Sequence, residues 1–171
     1  MTQVDPIFGD EESQTMILHS GDWNCKDTEL SWQNEFFNQQ HTDAVEIRSK
    51  FAIMGTYGNH EYPGDRFKKY YPYSYDELDP TEESFCHSFD YGPVHVTFIE
   101  VAGVNATIEE PQLSWIIDDL QSTNKPWKVV VFHVPGYSNI EGDYHGSNQD
   151  VQDVLQPLLE QYNVQLVLKW P

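Results

Sequence analysis

Three short apolar runs in this chain each end on a residue able to hold a cation, and that recurrence constrains the fold more than any other feature. Met16-Ile17-Leu18-His19-Ser20 runs into Gly21-Asp22. Phe51 to Thr56 runs through Tyr57 into Gly58-Asn59-His60-Glu61, and Val129-Val130-Val131-Phe132 runs into His133-Val134-Pro135. Short apolar runs closed by Gly or Pro read as buried strands. In an α/β sheet the loops beyond the carboxyl ends of the strands converge on one crevice, so residues distant in sequence can share a site there.

The remaining segments complete an alternating pattern. Thr28 to about Lys50 carries Leu30, Trp32, Phe36, Phe37, Ala44, Val45 and Ile47 on a rough helical repeat. Tyr62 to Pro80, rich in Tyr, Pro and Asp, reads as a surface loop with one helical turn. Phe85 to Tyr91 and Val94 to Val101 flank Gly92-Pro93 as a hairpin. Pro111 suits the first turn of a helix running to about Gln121. Gly136 to Asn148 reads as a polar loop, Asp150 to about Tyr162 as a helix, and Val164 to Leu168 as a last buried strand. The expected class is therefore α/β, in a single domain over residues 1–171.

Composition excludes several function classes. The 28 acidic and 9 basic residues give a formal charge of −19, which repels nucleic-acid phosphates and anionic membranes. A phosphate substrate would be repelled too, unless bound cations reversed the field locally. No apolar run approaches the roughly 20 residues that cross a bilayer, and no secretory leader is visible in the polar, acidic residues 1–12, which carries little weight in a chain expected to be a fragment. Cys25 and Cys86 form neither a disulfide framework nor a paired-cysteine metal site.

The strand-end residues suit metal chemistry by type. A carboxylate such as Asp22 can bridge two cations, Asn59 supplies a neutral oxygen, and His133 supplies nitrogen. Two cations roughly 4 Å apart can activate a water and clamp a phosphoryl group for in-line attack.

In this order, Gly21-Asp22, Gly58-Asn59-His60-Glu61 and the lone His133 resemble three motifs of the calcineurin-like metallophosphoesterases, in their purple-acid-phosphatase-like branch. Ser88-Phe89-Asp90-Tyr91-Gly92-Pro93-Val94-His95 and Pro126-Trp127-Lys128-Val129 extend the resemblance over nearly the whole chain. It implies a four-layer αββα sandwich of two mixed sheets, and a phosphatase or phosphodiesterase acting on small-molecule phosphoesters or phosphoproteins. It also implies two divalent or trivalent metal ions (Mn, Zn or Fe). By position, Asp22 would bridge both metals, and Asn59 and His133 would ligate the second. His60 would sit beside the scissile phosphate, a task suited to a group titrating near neutrality, with Glu61 orienting it. His145 falls in a loop where relatives place a substrate-contacting His, against the alternative of an ordinary exposed histidine. Many relatives lie outside the cytoplasm, so the resemblance favours an extracytoplasmic location. Asn105-Ala106-Thr107 fits a glycosylation acceptor, which matters only for a secreted eukaryotic protein.

The chain departs from the family at three places. The first family motif, Asp-x-His, has no counterpart before Gly21, and the final Gly-His-x-His is replaced by Lys169-Trp170-Pro171. The expected reading is a fragment lacking both motifs, with little or no hydrolysis of its own. Where the purple enzymes place an iron-binding Tyr, this chain has Cys25. A thiolate there could bind iron or zinc; the alternative is a buried spectator thiol. Two other function readings stay open, a non-catalytic metallophosphoesterase-like binding module and an acidic α/β domain whose strand-end residues coincide by chance.

The tail carries a testable expectation. AGT-GGC-CAT encodes Ser-Gly-His, and one additional A ahead of it gives AAG-TGG-CCA, which encodes Lys-Trp-Pro, as at residues 169–171. Sequencing the coding DNA through codon 171 should show the Gly-His-x-His codons one frame away; unrelated codons in an intact frame would refute the frame-shift reading.

Overall fold

The computed structural model describes residues 16–75, 85–103, 105–139 and 146–170. Strand β1 (Met16–His19) pairs in parallel with β2 (Ala52–Gly55), Leu18 lying opposite Met54. A second sheet has the order β3 (His87–Tyr91), β4 (Val94–Phe98), β5 (Trp127–Val131), β6 (Leu166–Leu168). The β3–β4 hairpin is antiparallel about Gly92, and β4, β5 and β6 run parallel.

Alternation along these strands assigns the layers. Val96, Phe98, Val129 and Val131 point to one face, where Leu18 and Met54 of the first sheet pack on them. Ile99, Val101, Val130 and Phe132 join the opposite core with Ile116, Leu120, Leu155 and Leu159 of the helices. A third cluster, dominated by Trp23, Trp32, Tyr57, Phe67 and Phe85, covers the outer side of the first sheet at Ile53. Two sheets face to face with helices outside are the expected αββα layering, produced by two-fold side-chain periodicity in β-branched strands.

Three expectations change in detail. Residues 28–50 form two helices, α1 (Glu29–Asn34) and α2 (Thr42–Lys50). Thr28 caps the first, and the chain then leaves the helix because Asn38 bonds to the Asn34 carbonyl and accepts from the Gln40 amide. Such side chains compete with helical hydrogen bonds. The helical turn expected after Tyr62 is α3 (Asp65–Tyr70), and residues 76–84 lie outside the description. Helix α4 (Gln112–Ser122) follows Pro111 as expected. The segment from Val151 opens with a π turn (Val151–Leu155) before α5 (Gln156–Gln161), because Pro157 has no N–H to continue the α pattern. Strand β6 is an edge rather than a buried strand, with Leu166 48% and Val167 40% exposed.

A charge network fastens α4 to the second sheet. The buried His95 ring on β4 meets Asp90 at 2.8 Å through Nδ1 and Asp119 of α4 at 3.0 Å through Nε2. Ser88 (2.6 Å) and Thr97 (2.7 Å) donate to the same Asp119 carboxylate. Burial alone would depress the His95 imidazole, but the two carboxylates outweigh it and raise it; Asp119 is held low by these partners against its own burial.

The signs give a pH window. A raised imidazole stabilises the fold fully below its ordinary value of about 6.5 and loses that contribution as pH rises through the folded value. A lowered carboxylate contributes above about 4 and fades as pH falls. Exchanging His95 for Gln should therefore cost on the order of 2–3 kcal/mol near pH 5–6 and less above pH 8, read from urea unfolding across that range.

Candidate metal centre

The site lies where β1, β2 and β5 end. Beyond β1 the chain turns on two left-handed residues, Gly21 (φ 93°) and Asp22 (φ 57°). Gly21 is needed there, since a Cβ would stand 2.8 Å from His133 Nδ1 and 3.0 Å from Gly58 Cα. Left-handed backbone costs a non-glycine residue about 1 kcal/mol or more, so surrounding bonds must hold Asp22. Beyond β2, Gly58 leads into a 3-10 turn (Asn59–Glu61), and a Cβ at Gly58 would press on the Asp22 backbone nitrogen. The two loops interlock because both glycines lack side chains.

His133 arrives from β5 and is buried. Its Nδ1 stands 2.8 Å from the Ser20 carbonyl, which can only accept, so the ring hydrogen belongs on Nδ1. Nε2 then faces Asn59 Oδ1 at 2.9 Å and Asp22 Oδ1 at 3.3 Å. In a neutral ring this nitrogen is a lone pair turned toward two oxygens. An added proton or a cation among the three would satisfy them, and one nitrogen with two oxygens suits Zn, Mn or Fe. Burial works against the His133 imidazolium, yet Asp22, the Ser20 carbonyl and Glu61 together raise its pKa. Asp22 is desolvated, and the hydrogen bond and charge of His133, with the His60 amide and ring, hold its carboxyl below the ordinary range.

His60 sits at the exposed rim. Its amide donates to Asp22 Oδ1 at 3.3 Å, its Nδ1 donates to the Cys25 carbonyl at 2.9 Å, and its Nε2 lies 3.9 Å from Asp22 Oδ2. The structure thus gathers Asp22, Asn59, His60 and His133 from three separate loops. Glu61 is wholly buried behind them and contacts the Asp22 loop rather than the His60 ring. Burial and the Asp22 charge push its carboxyl up to about 7, against the pull of the amides it binds. His145 lies outside the described residues.

The model of the calcineurin-like phosphoesterase family matches residues 3–168. The chain belongs to this family. Among curated relatives it is 32% identical over 165 residues to purple acid phosphatase 21 of Arabidopsis thaliana, covering 89% of this chain and 36% of that one. It is 29% identical over 132 residues to purple acid phosphatase 22 of the same plant, covering 71% and 30%. The solved purple acid phosphatase PPD1 of yellow lupin superposes with a TM-score of 0.66 at 18% identity, over 97% of this chain and 32% of that one. PhoD superposes at 0.51 with 10% identity, over 90% and 44%. The purple-acid-phosphatase-like branch is therefore the right one, and the chain spans about a third of the length of these plant relatives.

Family members use metal, and Asp22, Asn59 and His133 are of types and placement that could hold one cation. Among the described residues no group of three or more His, Cys, Asp and Glu side chains is close enough to hold a metal; a third donor beside Asp22 and His133 would have to come from Asn59. Cys25 is exposed rather than buried. Its amide donates to Glu35, whose carboxylate raises the thiol above its ordinary value and so disfavours the thiolate a metal would need.

Sequence reasoning passed over His19. It closes β1, stacks on Trp23 with ring centroids 4.0 Å apart, and leaves its buried Nδ1 without a partner. Burial and the nearby His133 charge bring it down to about 4, so the ring is neutral near pH 7. A histidine three positions before a strand-end Asp was the available signal.

The interlock predicts a steric cost. Gly58→Ala should destabilise the chain by about 2–3 kcal/mol in denaturant unfolding, because the methyl group meets the Asp22 backbone nitrogen as well as the Asp22 and Glu61 carboxylates, which are held by the site's own hydrogen bonds.

Proposed function

We propose that this chain forms part of a metal-dependent phosphoester hydrolase, with Asp22, Asn59 and His133 as metal donors and His60 at the reacting phosphate. The observation that carries the reading is the approach of Asn59 Oδ1 (2.9 Å) and Asp22 Oδ1 (3.3 Å) to the one nitrogen His133 Nε2. A bound cation would polarise phosphoryl oxygens and acidify water. The residues themselves do the rest. Ser20 fixes the His133 tautomer through Nδ1, leaving Nε2 to bind. The Cys25 carbonyl fixes the His60 ring through Nδ1, leaving Nε2 near Asp22 Oδ2, where it could donate a proton to a leaving oxygen when the ring is charged. A bound cation would also offset locally the −19 charge, which would otherwise repel a phosphoester.

The substrate proposed is a phosphomonoester or phosphodiester, on a small molecule or a protein. An extracytoplasmic location belongs to the same proposal. Asn105 and Thr107 are exposed, so the acceptor is accessible if the chain passes through a eukaryotic secretory route. Among the described residues no helix is long and apolar enough to cross a membrane.

One observation favours the non-catalytic alternative: three donors serve one cation, and a two-metal clamp needs more. Calorimetric titration with Mn²⁺ or Zn²⁺ decides. A single bound cation is expected, with affinity falling more than about ten-fold in Asn59→Ala and in His133→Ala. Hydrolysis of p-nitrophenyl phosphate by these residues alone should be slow or nil. Unchanged metal binding in both variants would overturn the donor assignment, and brisk metal-dependent turnover would overturn the one-cation reading.

A further inference from the structure

The Glu61 carboxylate is satisfied by backbone alone in the bonds that hold it. Oε1 accepts from the amides of Trp23 (2.9 Å) and Asn24 (3.3 Å), and Oε2 from those of Asp22 (3.0 Å) and Gly58 (3.0 Å). Three of these amides are consecutive. Successive N–H groups turned inward on one anion form a nest, a concavity made when the backbone changes hand between neighbouring residues. Gly21 and Asp22 supply the left-handed positions. Gly58 leaves room for the anion, since a Cβ there would stand 3.0 Å from Oε2.

We propose that Glu61 is the positioning residue of this centre, a built-in anion whose occupation of the nest keeps Asp22 left-handed and its Oδ1 turned to His133 and Asn59. The effect on metal binding rests on the reading above; the nest itself does not. Glu61 reaches His60 only through Asp22, because the His60 ring is held by the Cys25 carbonyl and its amide by Asp22 Oδ1. Side chains without a full carboxylate fail in distinguishable ways. Alanine leaves an open cradle of four amides, the size of a small carboxylate. Glutamine fills the space but sets an NH₂ group against amide donors.

The test uses the 171-residue chain, its Glu61→Ala and Glu61→Gln variants, and sodium formate as the probe anion. Without metal, amide exchange at Asp22, Trp23, Asn24 and Gly58 should quicken in both variants. Formate should restore protection in Glu61→Ala only, whereas sodium chloride at equal ionic strength should not. With Mn²⁺, Glu61→Ala should bind about ten-fold or more weakly, and formate should recover most of the loss. A purely space-filling role would show no rescue by formate, and that result overturns the proposal. Recovery of the amides with no change in Mn²⁺ affinity also overturns it, because Asp22 would then not depend on the nest. Should Glu61→Ala fail to fold, unchanged amide protection in Glu61→Gln overturns the nest. If the unaltered chain binds no Mn²⁺, the functional reading falls and formate-dependent amide protection alone decides the nest.

Discussion

His133 is the point at which the two sheets are held in one arrangement. It is carried by β5 of the second sheet, while both of its ring nitrogens are taken by loops of the first, Nδ1 by Ser20 and Nε2 by Asn59 and Asp22. The buried Nδ1–H of His133 is satisfied by the Ser20 carbonyl, so the end of β1 cannot slide against β5 without orphaning that donor. Beside it the Thr56 hydroxyl bonds to the Ile99 carbonyl, again joining the β2 end to the β4 strand. The apolar contacts of Leu18 and Met54 with the second sheet are non-directional; these polar ties set the register between layers.

The same crowding explains the backbone. Asp22 adopts a conformation that few residues with side chains hold at no cost, and it does so between Gly21 and Gly58, with Glu61 accepting its amide. Four buried amides, one buried carboxylate and one left-handed aspartate are separately unfavourable and jointly satisfied. That pattern fits a site organised for ligand geometry rather than for stability alone. Away from it, the network of His95, Asp119 and Asp90 ties helix to sheet by the same means, pairing buried charge instead of leaving it alone.

Much of this was legible in the residues. Val129-Val130-Val131-Phe132 and the Gly92 hairpin have periodicities and turn chemistry that act locally, and the structure forms them as expected. The helix expected over residues 28–50 breaks because Asn38 competes for backbone groups, a contest that apolar spacing does not register. The edge position of β6 and the exposure of Cys25 depend on which neighbours lie beside them in space.

Sequence by itself determined which chemistry could be present. Asp22, Asn59, His60 and His133 stand after strand-like runs, and parallel α/β topology brings such ends together whatever the intervening loops contain. Only the tertiary structure decided how they are held. Glu61 lies 39 residues from the Asp22 amide it accepts, and His133 lies 113 residues from Ser20. Contacts over such separations follow from the packing of whole layers, not from local propensity. The role of Glu61 as the anion beneath Asp22, and the place of His19 against Trp23, therefore became visible only once those layers were assembled.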